Sequence, residues 1–232
     1  VKLLMATCAD ESVMEYARYT LPILRMYAER WGVEFQVLDD QSYNKMGGGM
    51  WNYRTIVFHE LLEEYERIFY LDSDIVINKI CPNIFDFVPY DTVGLVLEDK
   101  GSRLKNRRGR IAQIKAKFGG NEHWIEGFLN GGLYIVSNIH REIFTKINGK
   151  LYDGMGRDGN HYMYQIIKQG HKYVDLGYKW NHMSMFSEPW NGSASRFDSH
   201  IIHYAGGGNF PDKGKRSRNQ LIKDDIKKIY NE

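Results

Sequence analysis

The chain has 232 residues, 43% of them hydrophobic and 26% charged, a length for one large domain or two small ones and a composition that excludes a disordered chain. Lys and Arg number 31 against 29 Asp and Glu, and a net charge of +2 excludes a nucleic-acid-coating protein. Cys8 and Cys81 are the two cysteines, too few for a disulfide framework or a cysteine-rich zinc site, and they favour a reducing, cytoplasmic-type compartment.

No apolar run approaches the ~20 residues that span a bilayer, and no signal peptide is read at the start, so a soluble domain is expected. A chain that begins at Val1 rather than Met is expected to be an excised domain or a processed product, with any anchor or further domain of a larger protein lying outside it.

Short apolar runs alternate with helical stripes along most of the length, the pattern of an α/β protein. Lys2 to Thr7 reads as the first strand. Val13, Ala17, Leu21, Leu24, Ala28 and Trp31 follow at helical spacing, and Pro22 inside that stripe predicts a kink or a break. Val33 to Leu38 is a second strand, and Trp51, Thr55, Phe58, Leu62 and Tyr65 form a second helical stripe.

Arg67 to Leu71 is a buried-type strand that runs into Asp72-Ser73-Asp74, and Thr92 to Leu97 is the next strand. Lys100 to Lys117 is charged, a surface helix or a mobile loop. Leu133 to Val136 reads as another strand and Arg157 to Gln169 as a helix. From Tyr178 to Phe210 glycine, aromatic and His residues dominate with little period, and such irregular segments are where an α/β scaffold meets its substrate. A basic helical tail ends the chain. With no repeat or linker, residues 1–232 read as one domain.

The sharpest feature is Asp72-Ser73-Asp74 at the end of an apolar strand. Ligands of open α/β sheets bind beyond the carboxyl ends of strands, and two carboxylates two residues apart there converge on a hard divalent cation. Taken alone, the same string is also a common acidic turn. Three further pieces supply context. Asn130-Gly131-Gly132 is a glycine-rich turn entering a strand, so a backbone can approach a ligand closely. Ile201-Ile202-His203 is an apolar strand ending in a competent ligand for a Mn²⁺-type ion, followed by Gly206, Gly207 and Gly208. Lys213 and Lys215 then offer point charges to phosphate.

With those four pieces the sequence resembles the GT-A class of nucleotide-sugar glycosyltransferases, especially the retaining enzymes of family 8, from the Ala6-Thr7-Cys8-Ala9-Asp10 turn to Lys215. The resemblance implies a Rossmann-like domain with a mixed, mostly parallel sheet flanked by helices. Its nucleotide-binding part would lie at about 1–100 and its donor-sugar and acceptor part at about 101–232. It implies metal-dependent transfer of a sugar from a UDP-sugar to a carbohydrate hydroxyl, with retention at the anomeric carbon and with Mn²⁺ or Mg²⁺ as cofactor. Relatives of this class also work in the secretory lumen behind an anchor.

Residue by residue, the resemblance places Ala6, Thr7, Cys8 and Asp10 on the nucleobase and ribose, with Tyr16 as a stacking candidate. It gives Asp72, Asp74 and His203 to the metal, Asp72 also to ribose, and Ser73 and Gly206 to the donor. Lys213 would neutralise the departing diphosphate, with Lys215 or Arg216 as substitutes. Arg54 would be directed at the donor, and the Glu98-Asp99 step, Asn130 and Gly131 would contact the donor sugar, with Asp99 the acid chosen. Asp158 would bind sugar hydroxyls as the first residue of Asp158-Gly159-Asn160-His161. There the sequence departs from its relatives, because Gly159 stands where they carry the candidate nucleophile. A covalent intermediate through residue 159 is excluded, which leaves front-side attack or a different stereochemical course. Trp124, Trp180, His182, Phe186 and Trp190 are the aromatic candidates for the acceptor.

Two other readings compete. Asp72-Ser73-Asp74-Ile75-Val76 also fits the opening motif of a haloacid-dehalogenase-type phosphatase, with Asp72 as nucleophile and Asp74 as general acid. That reading needs a later acidic pair, and Asp224-Asp225 in the basic tail is the one on offer. A non-catalytic carbohydrate-binding protein would account for the aromatics but not for the joint presence of Asp72, Asp74, His203 and Lys213. A sugar-phosphate nucleotidylyltransferase lacks its glycine-rich, arginine-containing loop after the first strand.

Overall fold

The computed structural model describes residues 1–39 and 49–230, and within these not the side chains of 49–53. The Trp51 start of the second helical stripe therefore lies outside the described side chains. In chain order the elements are β1 (Leu3–Cys8), α1 (Met14–Trp31), β2 (Glu34–Leu38), α2 (Gly49–Glu64), β3 (Arg67–Leu71), β4 (Ile75–Ile77), α3 (Ile84–Phe87) and β5 (Thr92–Leu97). They continue with α4 (Leu104–Phe118), β6 (Leu129–Ser137), α5 (Arg157–Gln169), β7 (Lys172–Asp175), β8 (Ile201–His203), α6 (Ala205–Gly208) and α7 (Arg218–Tyr230).

Six strands form one sheet in the order β2-β1-β3-β6-β5-β7. β1 pairs in parallel with β2 and β3, and β5 in parallel with β7, while β6 runs antiparallel to both of its neighbours. The sheet is thus mixed and mostly parallel. Side chains alternate along each strand. In β3, Phe69 and Leu71 join one core with Leu24 and Tyr27 of α1 and Ile222 of α7, while Ile68 and Tyr70 join a second core with Phe58 of α2 and Tyr162 of α5. Both faces are covered, as a buried α/β sheet requires.

Several expectations are corrected. The break expected at Pro22 does not occur: α1 runs from Met14 to Trp31 with Pro22 inside it. A helical proline costs about 3 kcal/mol, and α1 offsets that by burying Ile23, Leu24, Tyr27 and Ala28 against the sheet. Of the two alternatives offered for Lys100 to Lys117, the helix is what forms, as α4 over Leu104–Phe118, anchored through Ile111 and Ile114. The expected glycine turn at Asn130 is part of β6, which starts at Leu129 because Leu97 of β5 pairs there across a register shift. The segment from Tyr178 to Asp198 is built from short 3-10 turns.

β4 and β8 make a small antiparallel ribbon in which Ile75 faces His203. Tyr204 N–H also donates to the Asp74 carbonyl at 3.0 Å. This pairing carries the C-terminal third back to the end of β3. No helix among the described residues is long and apolar enough to cross a membrane.

Candidate active site

β3 ends at Leu71, and Asp72 N–H donates to the Gly132 carbonyl of β6 at 2.8 Å, so the two acidic residues leave the sheet at its carboxyl edge. The β4–β8 register brings His203 beside them. Its Nε2 lies 3.1 Å from Asp74 Oδ1 and 3.7 Å from Asp72 Oδ2, and one ligand atom from each of the three residues lies within 4.8 Å of the others. His203 Nδ1 bonds Asn181 Oδ1 at 2.8 Å, which orients the ring and leaves Nε2 for the carboxylates.

Gly132 closes this cradle from below. A Cβ there would lie 2.5 Å from His203 Cε1 and 2.6 Å from Asp72 Oδ2, so a glycine is what lets the three ligands converge. Two carboxylates and one imidazole around such a point form a donor set suited to a divalent Mn²⁺-type ion. Burial pushes the Asp74 carboxyl up, but His203 and Arg218 outweigh it and hold it below the usual range. Burial likewise pushes the His203 imidazole down, and Asp74 reverses that, leaving it raised.

Arg54 of α2 is buried and forms the next layer. Its guanidinium sits 4.5 Å from the centre of the Tyr70 ring, donates to Tyr70 Oη, and reaches Asp72 Oδ1 at 3.2 Å. It also ion-pairs with Asp158 in the first turn of α5, where a negative charge suits the helix N-terminus. Arg54, Asp72, Asp74, Asn130, Gly131, Asp158, His203 and Gly206 all line one polar cleft of about 370 Å³. A neighbouring cleft of about 290 Å³ runs from Cys8, Ser12 and Tyr16 to the same Arg54, Asp72 and Asp74, with Ser73 on its wall.

The first strand's end is more enclosed than expected. Ala6, Thr7 and Cys8 are buried, burial pushes the Cys8 thiol up to about 11, and Asp10 caps the following turn by accepting from Ser12 N–H at 2.9 Å. Tyr16 is covered by the Arg218 guanidinium, 3.8 Å from its ring centre.

Three placements correct the sequence reading. Asp99 does not line the cleft: its carboxylate accepts from Gly127 N–H at 3.0 Å and Phe128 N–H at 2.9 Å. Glu98 faces the cleft instead, held by Arg103 at 3.2 Å, by Arg107, and by Asn130 Nδ2 at 2.8 Å. Lys213 is outside both clefts, its Nζ donating to the Gly207 carbonyl at 2.8 Å and Asn209 Oδ1 at 3.0 Å. Arg216 is bound to Asp224 at 3.2 Å, and the C-terminal cation that reaches the acidic pair is Arg218, 3.1 Å from Asp74 Oδ2.

Of the aromatic acceptor candidates, Trp124, Trp180, His182 and Phe186 are core residues, while Trp190 is 44% exposed. His182 illustrates why: it sits between Ser199 Oγ at 2.6 Å and Ser187 Oγ at 2.9 Å, and burial lowers its pKa to about 4.

Glu98, Arg103, Arg107, Asn181 and Arg218 are the residues that sequence reasoning left out of its chosen site. The four-residue spacing of Arg103 and Arg107 was a readable signal that one helix face carries two cations. Arg218 carried none, because its role depends on the β4–β8 pairing. The phosphatase reading loses its acidic pair, since Asp225 is buried against Arg196 at 2.6 Å, away from Asp72.

The strand-end acidic pair, the returning histidine and the mixed sheet define the GT-A class of sugar-transferring enzymes. A family profile described as glycosyl transferase family 8 matches residues 10–209, and the chain belongs to that family. It is a glycosyltransferase.

Among solved structures, it is similar to a glycosyltransferase involved in glycosylation of the major capsid of PBCV-1, at 14% identity and a TM-score of 0.64, covering 97% of this chain and 100% of that one. It is also similar to the galactosyltransferase LgtC in complex with donor and acceptor sugar analogues, at 15% identity and a TM-score of 0.50, covering 88% and 87%. Mouse xyloside xylosyltransferase 1 is a third, at 13% identity and a TM-score of 0.52, covering 90% and 99%. These likenesses establish the fold. No curated protein matches by sequence.

Proposed function

We propose that this glycosyltransferase moves a sugar from a UDP-sugar to a hydroxyl of a carbohydrate acceptor, with Asp72, Asp74 and His203 holding Mn²⁺ or Mg²⁺. The observation that carries this reading is the convergence of those three side chains over Gly132. The two clefts share Arg54, Asp72 and Asp74, which suits a donor whose nucleotide lies in one and whose sugar lies in the other. The nucleotide side is then built chiefly before residue 100 and the sugar side after it, with His203 and Arg218 returning to the junction. A bound divalent ion would supply charge stabilisation for the departing diphosphate.

The chain's own residues do the rest. Cys8, Ser12 and Tyr16 wall the nucleotide cleft, with Ala6 and Thr7 buried behind Cys8 and Arg218 lying on the Tyr16 ring. Arg218 is the cation nearest the diphosphate position and takes the part first given to Lys213. Arg54 holds Asp158 in place, so that Asp158 and Asn130 accept and donate to sugar hydroxyls. Glu98, fixed by Arg103 and Arg107, places a negative charge near the developing positive charge of the sugar.

A side chain at residue 159 has no room, since a Cβ would lie 2.8 Å from the Leu129 carbonyl and 3.1 Å from Gly131 N. This removes a covalent step at that position and leaves departure and attack on the same face of the sugar, or a different stereochemical course.

Release of UDP from a panel of UDP-sugars in Mn²⁺ tests the proposal. Asp74→Asn should lower turnover by at least about 10³-fold with the fold retained, in the range of losing a main electrostatic stabiliser. Near-normal Mn²⁺-dependent release by Asp74→Asn would remove the metal assignment.

A further inference from the structure

Between residues 100 and 117 the chain carries eight Lys and Arg and no Asp or Glu. Six of these cations have partners. Lys100 meets Asp175 at 2.7 Å, Arg103 and Arg107 hold Glu98, Arg108 meets Glu126 at 2.7 Å, and Lys117 pairs with Asp153. Lys115 donates to the carbonyl of Trp124 at 2.6 Å. Lys105 and Arg110 remain, and among the described residues neither has a hydrogen bond or ion pair from its side chain.

Both line one groove of about 500 Å³ on α4, together with Ser102, Asn106, Gln113 and the exposed Met155. Arg107 of the same helix and Arg103 just before its start face the sugar cleft. Next to Ser102 in the chain, Gly101 packs against the exposed Trp190, and Ser102 Oγ donates to Glu188 Oε1 at 2.7 Å.

Helix stability does not account for this arrangement. The first turn of α4 has no acidic residue, and cations there oppose the helix dipole. Arg103 and Arg107 sit one turn apart, and Arg107 and Arg110 three residues apart, both repulsive spacings. Burial, and after it Arg107, push the Arg110 guanidinium below its ordinary pKa. A fork-shaped guanidinium beside an ammonium, with amides and hydroxyls around them, is a receptor for a carboxylate or phosphate carried on a polar chain.

We propose that this groove takes the acceptor, and that the acceptor is an anionic glycan whose carboxylate or phosphate sits on Lys105 and Arg110. The inference deepens the sugar-transfer reading and rests on it. Trp190 and Met155 supply apolar surface for sugar rings, and the acceptor hydroxyl is thereby delivered across the α4 ridge toward Asp158.

The test is calorimetric binding of three tetrasaccharides in EDTA: oligogalacturonate, a phosphorylated mannotetraose, and neutral mannotetraose. At least one acidic probe should bind, about tenfold or more tighter than the neutral one, and weaken as salt is raised. Which acidic probe binds separates carboxylate from phosphate. The double variant K105E/R110E should lose that preference, and K105Q/R110Q should reduce it.

Equal binding of neutral and acidic probes, unchanged binding by K105E/R110E, no binding of either acidic probe, or binding of anionic vesicles in place of the glycans would overturn the proposal. UDP titrated with Mn²⁺ into wild type and K105E/R110E separates the two readings. UDP binding intact in both with no acidic preference sinks only the acceptor inference. UDP binding absent from wild type sinks the donor reading itself.

Discussion

Two ionic clusters involve the C-terminal third, one internal to it and one joining it to the end of β3, and they are built to opposite ends. In one, Arg196 is buried and grips Asp225 through Nε and Nη2 at 2.6 and 2.8 Å, while Tyr204 Oη donates to Asp225 Oδ2 at 2.7 Å. Asp212 takes the remaining edge of the guanidinium at 2.6 Å. Donors and acceptors match, so the cluster has no use for a ligand. In the other, Asp72, Asp74 and His203 point their ligand atoms at one another across a cleft, beside a glycine that keeps the centre open. Saturation marks a structural ion pair, and convergence without saturation marks a site.

The histidines repeat the contrast within one ribbon. His203 N–H donates to the His182 carbonyl at 3.1 Å, yet burial takes His182 down to about 4 while Asp74 leaves His203 raised. Neighbouring backbone positions therefore carry opposite charge preferences, set by whether a hydroxyl pair or a carboxylate pair faces the ring.

The largest effect expected from breaking the contrast is on the closed cluster. Arg196→Met should destabilise the fold by about 3–5 kcal/mol, because Asp225 is left buried without its partner. Urea unfolding would measure it, and a loss below about 1 kcal/mol would show that the cluster is not structural.

On the open cluster, Gly132→Ala should cost about 1–3 kcal/mol of stability through overpacking and weaken Mn²⁺ binding by about 10–100-fold, the usual cost of disturbing a ligand's support. Unaltered metal affinity in a folded Gly132→Ala protein would mean that the cradle is not the metal site.

A third expectation concerns pH. His140, His161 and His182 are held near 4 by burial, against about 6.5 when unfolded. Between those values the unfolded chain binds more protons, so stability falls as pH drops from 6.5 to 4. The slope is at most about 1.4 kcal/mol per pH unit for each imidazole. A flat stability profile across that window would contradict the buried neutral assignment.

Much of this was legible before any coordinates. The helix at Arg157–Gln169 and the strand at Arg67–Leu71 run between their predicted limits, because long apolar periods and abrupt polar ends leave little choice. The acidic pair, Asn130 and His203 were singled out from residue type at strand ends, and Asp158 from the family resemblance, and the structure brings all five to one cleft.

What was not legible depended on pairing. β4 and β8 are three residues each, too short to show a period, and their register alone decides that His203 and Arg218 return to Asp74. The choice between Glu98 and Asp99 turned on the register shift between Leu95 and Leu97, which a sequence does not display. Among the aromatics, absence of periodicity was read as exposure. The 3-10 turns instead bury Trp180 and Phe186 without any regular pattern.

The central claim is that the open cluster binds a nucleotide diphosphate through a divalent ion. Its most direct test is calorimetric titration of UDP into the protein with Mn²⁺, repeated with EDTA. The account predicts binding with Mn²⁺ that disappears in EDTA. Binding of equal strength in both, or in neither, would contradict it.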